Sequence, residues 1–385
     1  MIVEVSTVNR ERISHWYPAL LAGLTMWLTA ILIGATPVLR ATALAIVIVG
    51  ISLSLRRLGA PLAYLGGVAL GFSPAYWSQT GGPPTVNGWL ILLFIAVAGA
   101  GGALILRASQ RIFVGFAAGI SLFVGLYLVF GVTEKSLRIT MILAAWLIYM
   151  IIIAVRQTNP RPEEPAAIPL SKPHVYGVLL MMGLGILNDP LFTLFAPAVI
   201  IGLWLSGTTL PRWYWPALGA VTLYGIYGIT MEYVSLDWLR RSAYDMHLAE
   251  NFVPYIVGNG WREPIRWLYV TQIVMQQFTW VGVVLSVVGI ARMARWYPTL
   301  GVTLMIAYGC YWVFGLVYFG KDIEILLLPM MMIQIISITY AVYALSQWSL
   351  QLSTRPAITA FARWGIVVAF STLHITLLLR IVGAN

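Results

Sequence analysis

The chain has 385 residues, 60% of them apolar and 9% charged, whereas a soluble domain is about 45–50% apolar and about 25% charged. Those proportions exclude disorder, a disulfide-stapled secreted module, a collagen-like rod and the usual soluble enzyme. The formal charge of +10 is not a nucleic-acid footprint, because no Lys/Arg run is longer than two residues and a phosphate-tracking surface needs a basic stripe.

What remains is a polytopic membrane protein, for which each helical crossing takes about 20 predominantly apolar residues. In chain order, apolar segments stand at 17–34, 39–55, 59–75, 89–106, 112–132, 139–155, 174–187, 191–206, 213–230, 267–290, 299–319, 323–345 and 361–382. They predict an all-α fold of about 11–13 transmembrane helices. Segment 17–34 follows mixed charges (Glu4, Arg10, Glu11, Arg12) and is too long for the core of a removable leader, so it reads as the first retained span. Segments 59–75 and 174–187 are short, and such segments tilt, re-enter or break around a polar cavity. Residues 1–155 thus form an N-terminal group of about six spans. Residues 156–173 (RQTNPRPEEPAAIPLSKP) are a Pro-rich charged linker. Residues 174–385 form a C-terminal group with one long polar loop at 231–266.

Charge sets the expected orientation, since cytoplasmic loops carry the excess of Lys/Arg. With the N-terminus in the cytoplasm and sides alternating, the inner connections hold fourteen basic residues against four acids, and the outer ones nine against nine. The whole net charge then lies inside, the C-terminus lies outside, and the acid-rich surface faces out. The expected location is a cell membrane, most simply a bacterial inner membrane.

Candidate chemistry gathers on that outer side. Asp189, in Asn188-Asp189-Pro190, reads both as a helix N-cap with Pro at the first helical position and as a carboxylate at a cavity mouth. Asp322 and Glu324, in Lys321-Asp322-Ile323-Glu324, read as acids stabilising a helix N-terminus or as catalytic carboxylates near the membrane boundary, where an ionised group is costly unless paired or wet. Arg240, Arg241, Arg262 and Arg266 suit phosphate, because a guanidinium donates two parallel bonds; they equally suit lipid headgroups and the acids of their own loop. The Trp and Tyr residues flanking the spans read as an interfacial belt. The lone Cys310 excludes Cys-based zinc and intramolecular disulfides. His15, His174 and His374 lack metal-ligand spacing, so no cofactor is indicated and a divalent metal is left open. No acid falls in mid-span, which weighs against an ion-coupled transporter.

Several stretches, taken together, resemble the GT-C superfamily of membrane glycosyltransferases, in particular bacterial protein O-mannosyltransferase-like proteins. They are Phe72-Ser73-Pro74-Ala75-Tyr76-Trp77-Ser78-Gln79, Gly183 to Pro190, Leu239 to Tyr244 with Gln277-Phe278, and Tyr318 to Glu324 with Leu328-Pro329. The resemblance implies sugar transfer from a polyprenyl-phosphate donor to a protein or glycan acceptor at the outer face. It also implies an acid in the first outer loop, yet Ala35-Thr36-Pro37-Val38-Leu39-Arg40 has none. Either Asp322, Glu324 or Asp189 serves as the base, or the chain is a catalytically inactive relative acting as a lipid-binding or structural subunit of a membrane complex. A transporter or lipid flippase is the third expectation.

Overall fold

A computed structural model describes residues 16–81, 88–110, 112–126, 137–158, 170, 172–207, 210–233, 256–320, 322–349, 364–365 and 367–371. Arg240, Arg241, Lys321, most of the Pro-rich linker and most of segment 361–382 lie outside these residues. The described chain is helical with no strand; one isolated antiparallel bridge joins Ile256 and Tyr318. Five helices are long and apolar enough to cross a bilayer, and six further apolar helices are shorter. The chain is an all-α polytopic membrane protein.

Its elements follow from where the backbone can and cannot bond. Helix α1 (Tyr17–Leu32) is followed by α2 (Val38–Leu55). Gly59, at φ 107°, reverses the chain into α3 (Ala60–Gly71) in a conformation that a side chain would disfavour. Helix α3 stops well short of the expected end of its segment. Ser73 precedes a proline and is extended (φ −68°, ψ 140°), as that position favours, and a single turn, α4 (Pro74–Trp77), follows. Helices α5 (Gly88–Ser109) and α6 (Ile112–Leu126) form a hairpin in which Gly102 faces Gly115 and Gly119. Small residues at such a contact let helix backbones approach closely in a membrane.

Helices α7 (Leu137–Thr158) and α8 (Lys172–Asn188) come next. The expected span at 191–206 is divided into a 3-10 turn, Pro190–Phe195, and a ten-residue helix, α9 (Ala196–Leu205). The reason is Pro197, which has no N–H to return to the Thr193 carbonyl; the Ala196 N–H takes that carbonyl instead, in an i→i−3 bond. After α10 (Tyr214–Tyr233), helix α11 (Pro264–Trp296) is 33 residues long, about 50 Å at 1.5 Å per residue and so well over the thickness of a hydrocarbon core. It is broken at Thr279, whose φ 64° and ψ 171° are not helical. Helix α12 (Pro298–Val317) leads to a short turn, α13 (Ile323–Leu326), and then to α14 (Leu328–Ser349). Pro329, lacking an N–H, divides what the sequence presents as one span.

Helix α14 is the axis of the molecule. It packs against α2, α3, α7, α11 and α12, and nearly all of its residues are buried. Alternation of the helices brings residues 33–40, 72–81, 189, 256–266 and 318–328 to one end. The turn at 56–59, the start of α8 and the α11–α12 turn lie at the other. Every acid with a described side chain (Asp189, Glu263, Asp322, Glu324) is at the first end, hereafter the acidic end.

Candidate functional site

At the acidic end the chain's short, irregular pieces lock onto one another. The Ala75 N–H, one of the donors left over at the start of α4, is met by Gln277 Oε1 at 2.8 Å, from 202 residues away. Gln277 is 1% exposed and sits two residues before the break in α11. Arg40, itself buried, extends from the first turn of α2 and donates to the carbonyls of Thr80 (3.3 Å) and Gly81 (2.6 Å). Tyr76 is fully buried and donates to the Leu44 carbonyl at 2.6 Å; burial pushes its phenol well above the ordinary tyrosine range. The stretch 72–81 is thereby fixed to α2 on one side and α11 on the other.

Asp189 is 2% exposed and is the N-cap of the 3-10 turn, its Oδ1 accepting from the Leu191 N–H at 3.0 Å. The capping role expected of it is present. Its Oδ2 faces the Thr140 hydroxyl at 3.5 Å, and that hydroxyl accepts from the Asn188 side-chain amide at 2.7 Å. Beside the carboxylate lies a cavity lined by Thr140, Asp189, Tyr311, Ile325, Leu326 and Pro329 among others. It leaves about 10 Å³ for the centre of a water molecule, roughly enough for one water. Through Ile325 and Leu326 this cavity joins Asp189 to the segment that carries Asp322 and Glu324.

Asp322 and Glu324 are both half-buried. Asp322 occupies the N-cap position of α13 without making a side-chain capping bond; its Oδ1 instead accepts the Tyr318 hydroxyl at 2.6 Å. Glu324 lies in the first turn of α13, where an acid favours the positive helix terminus. Turn α13 packs on both α4 and α14, so the 72–81 stretch and the 322–326 stretch are neighbours.

The arginines have separate fates. Arg266, a phosphate-clamp candidate from sequence, is buried. Its guanidinium donates to the carbonyls of Gly315 (2.7 Å), Leu316 (3.4 Å) and Tyr318. It also lies 4.1 Å from the Phe319 ring centroid. These are the carbonyls that α12 leaves open where it ends, so Arg266 closes a helix C-terminus. Arg262 is exposed, its guanidinium 5.1 Å from the Trp261 ring. Arg240 and Arg241 lie outside the described residues. Among the described residues no group of three or more His, Cys, Asp or Glu is arranged to hold a metal ion.

The partners that orient these acids carry weak sequence signals. Tyr318 stands four residues before Asp322, but the helix has already ended at Val317, so helical periodicity does not pair them. Thr140 and Tyr311 are far from Asp189 in sequence, and nothing local connects them.

No protein-family model matches the chain, and no curated protein or solved structure is significantly similar to it.

Proposed function

We propose that the chain is a GT-C-type glycosyltransferase that moves a sugar from a polyprenyl-phosphate donor to a hydroxyl of a protein or glycan acceptor. The acidic end would face out of the cell, with the N-terminus cytoplasmic and the C-terminus outside, in a bacterial inner membrane. One observation carries the reading. Stretches remote in sequence (72–81, 188–189, 277 and 318–329) meet at one end, around carboxylates that are half-buried at Asp322 and Glu324 and buried at Asp189.

The chemistry assigns these groups distinct roles. A base takes the acceptor proton as the acceptor oxygen bonds to the anomeric carbon; the bond from that carbon to the phosphate oxygen breaks, and the polyprenyl phosphate leaves with its electron pair. Asp322 is the first candidate for the base, being half-exposed and held in one orientation by Tyr318, and Glu324 is the second. Asp189, buried and bonded on both oxygens, suits holding the 3-10 turn against α7. Arg262, with Arg240 and Arg241, remains the candidate set for the leaving phosphate.

A second reading, an inactive relative serving as a lipid-binding or structural subunit, is favoured by two observations. The first outer loop lacks an acid and its Arg40 is committed to backbone carbonyls. The cavity beside Asp189 admits about one water and no sugar.

Purified protein incubated with a radiolabelled polyprenyl-phosphate sugar and membrane extract separates the two. Labelled product that disappears in Asp322→Asn or Glu324→Gln supports the transferase. No product, with stoichiometric partner chains co-purifying, supports the subunit.

A further inference from the structure

The opposite end of the molecule carries a second feature that is independent of any transferase chemistry. In the last turns of α11, the Arg292 guanidinium lies 3.8 Å from the Trp348 ring centroid near the end of α14, and 6.0 Å from that of Trp296. Trp296 is itself set edge-on against Tyr343 (centroids 5.8 Å apart, interplanar angle 77°), which braces the second ring beside Arg292. Arg295, three residues on and therefore on the same helix face, is exposed. Neither Arg292 nor Arg295 has a hydrogen-bond acceptor or an acidic partner among the described residues, and every acid with a described side chain is at the far end.

Stacking over an indole holds a guanidinium flat while its edge N–H groups stay free to donate. Here the stacked fork of Arg292 and the exposed guanidinium of Arg295 lie one turn apart where a membrane helix ends, at the end away from every acid with a described side chain. We propose that Arg292 and Arg295, with Trp348 as platform, bind the phosphate of an anionic phospholipid at the end of the bundle opposite Asp322. The occupant is a lipid and not a free phosphate, because the exposed indole of Trp348 (40% exposed) offers apolar surface beside the charge at the depth where aromatic belts and headgroups meet.

The full-length protein, stripped of lipid in detergent, would be titrated with phosphatidylglycerol or phosphatidylcholine and read by native mass spectrometry. The wild type should prefer phosphatidylglycerol. Arg292→Gln and Arg295→Gln should each weaken its binding about fivefold, the worth of one basic side chain at an anionic surface. Arg292→Lys should weaken it as well, since an ammonium has no planar fork to stack and donate. Arg107→Gln, which removes a basic residue of α5 that is not stacked on a ring, should leave binding unchanged. Equal affinity for both lipids, undiminished binding in the Arg292→Gln/Arg295→Gln double variant, or the same loss in Arg107→Gln would each overturn the site. Displacement of the lipid by millimolar inorganic phosphate would overturn the choice of occupant. Should the double variant fail to fold, Arg292→Lys and the surface change Trp348→Leu test the same contact, and wild-type affinity in both overturns it.

Discussion

Tyr318 donates its hydroxyl to Asp322 while its own backbone carbonyl is held by Arg266. The carboxylate proposed as the base is therefore oriented by a residue anchored at both ends, and the anchor belongs to the 256–266 segment. The same segment is tied on by the Val257 N–H, which donates to the Val317 carbonyl at 2.8 Å, and by the Ile256–Tyr318 bridge. Tyr318→Phe keeps the ring and its stacking on Phe314 (centroids 4.9 Å apart) and removes only the hydroxyl. If Asp322 is the base, sugar transfer should lose about tenfold in kcat, because a loosened base is misplaced and not removed. KM for the lipid donor should not change. In an Asp322→Glu background the same substitution should have little further effect, since the two residues act as one unit. A full and independent loss in that background would show that Tyr318 acts elsewhere.

Arg266 makes a prediction that needs no substrate. Its charge is buried against the open carbonyls of α12, and Arg266→Gln leaves some of them without a donor, at a cost of about 2–4 kcal/mol. Arg266→Lys should recover only part of this, because one ammonium cannot span three carbonyls and stack on Phe319 together. Hydrogen exchange should rise at residues 256–262 and 322–327 together in Arg266→Gln, with α7 and the middle of α14 unaffected. Faster exchange in one stretch alone would mean that the loop arm and the Asp322 turn are not coupled.

The Thr140 hydroxyl faces Asp189 and accepts from Asn188, joining α7 to the end of α8. Thr140→Val preserves shape and removes both contacts in a buried setting, so a loss of about 1–3 kcal/mol is expected. Thr140→Ser should retain most of the stability. A thermal-unfolding series in one detergent measures both; equal midpoints for Val and Ser would show that the hydroxyl contributes nothing.

Much of this architecture is legible in the sequence, because a membrane span announces itself through length and hydropathy. The helices at 17–32, 38–55, 137–158, 172–188 and 298–317 stand within a few residues of the apolar segments that predict them. Three departures occur where proline removes a bond that hydropathy does not register: at Pro74, which follows the early end of α3, at Pro197 inside an apparently continuous segment, and at Pro329; the break at Thr279 carries no such signal. Asp189 as a cap is legible from the Asp-Pro pair alone. The site beyond that is not, because its geometry is non-local: Gln277 meets Ala75 across 202 residues, and Arg266 finds the end of a helix that starts 32 residues after it. A guanidinium in a polar loop looks the same in sequence whether it awaits a phosphate or closes a helix.

The crossing of α11 and α14 depends on a glycine. A Cβ at Gly289 would overlap the Ser337 carbonyl oxygen, and that neighbour is backbone of the most buried helix in the molecule, which cannot move aside as a flexible side chain does. Gly289→Ala should therefore cost about 3 kcal/mol or more, at or beyond the upper end of ordinary overpacking. Gly183→Ala, at a helical position where nothing lies within 4 Å of the added methyl, should gain up to about 1 kcal/mol from helix propensity. The two alanine variants, compared by thermal unfolding, should move in opposite directions; a shared direction would remove the close-approach argument.

Thr279 holds φ 64° and ψ 171°, a region almost reserved for glycine and costing about 1–3 kcal/mol for other residues. The break it makes lets Gln277 turn toward Ala75 while the rest of α11 continues along α14. Thr279→Gly should relieve the strain and raise the midpoint of unfolding, offset in part by the greater freedom of glycine in the unfolded chain. Gln277→Leu should lower it by about 1–3 kcal/mol, because the Ala75 N–H is buried and would lose its acceptor. The two changes bear on one feature from opposite sides. If the break exists to deliver Gln277, then Thr279→Gly keeps the transfer activity proposed for the acidic end as stability rises, whereas Thr279→Pro, whose ring fixes φ near −65°, should abolish both. An active, stable Thr279→Pro variant would mean that α11 can run straight through this point, and that the Gln277–Ala75 bond is incidental to the site.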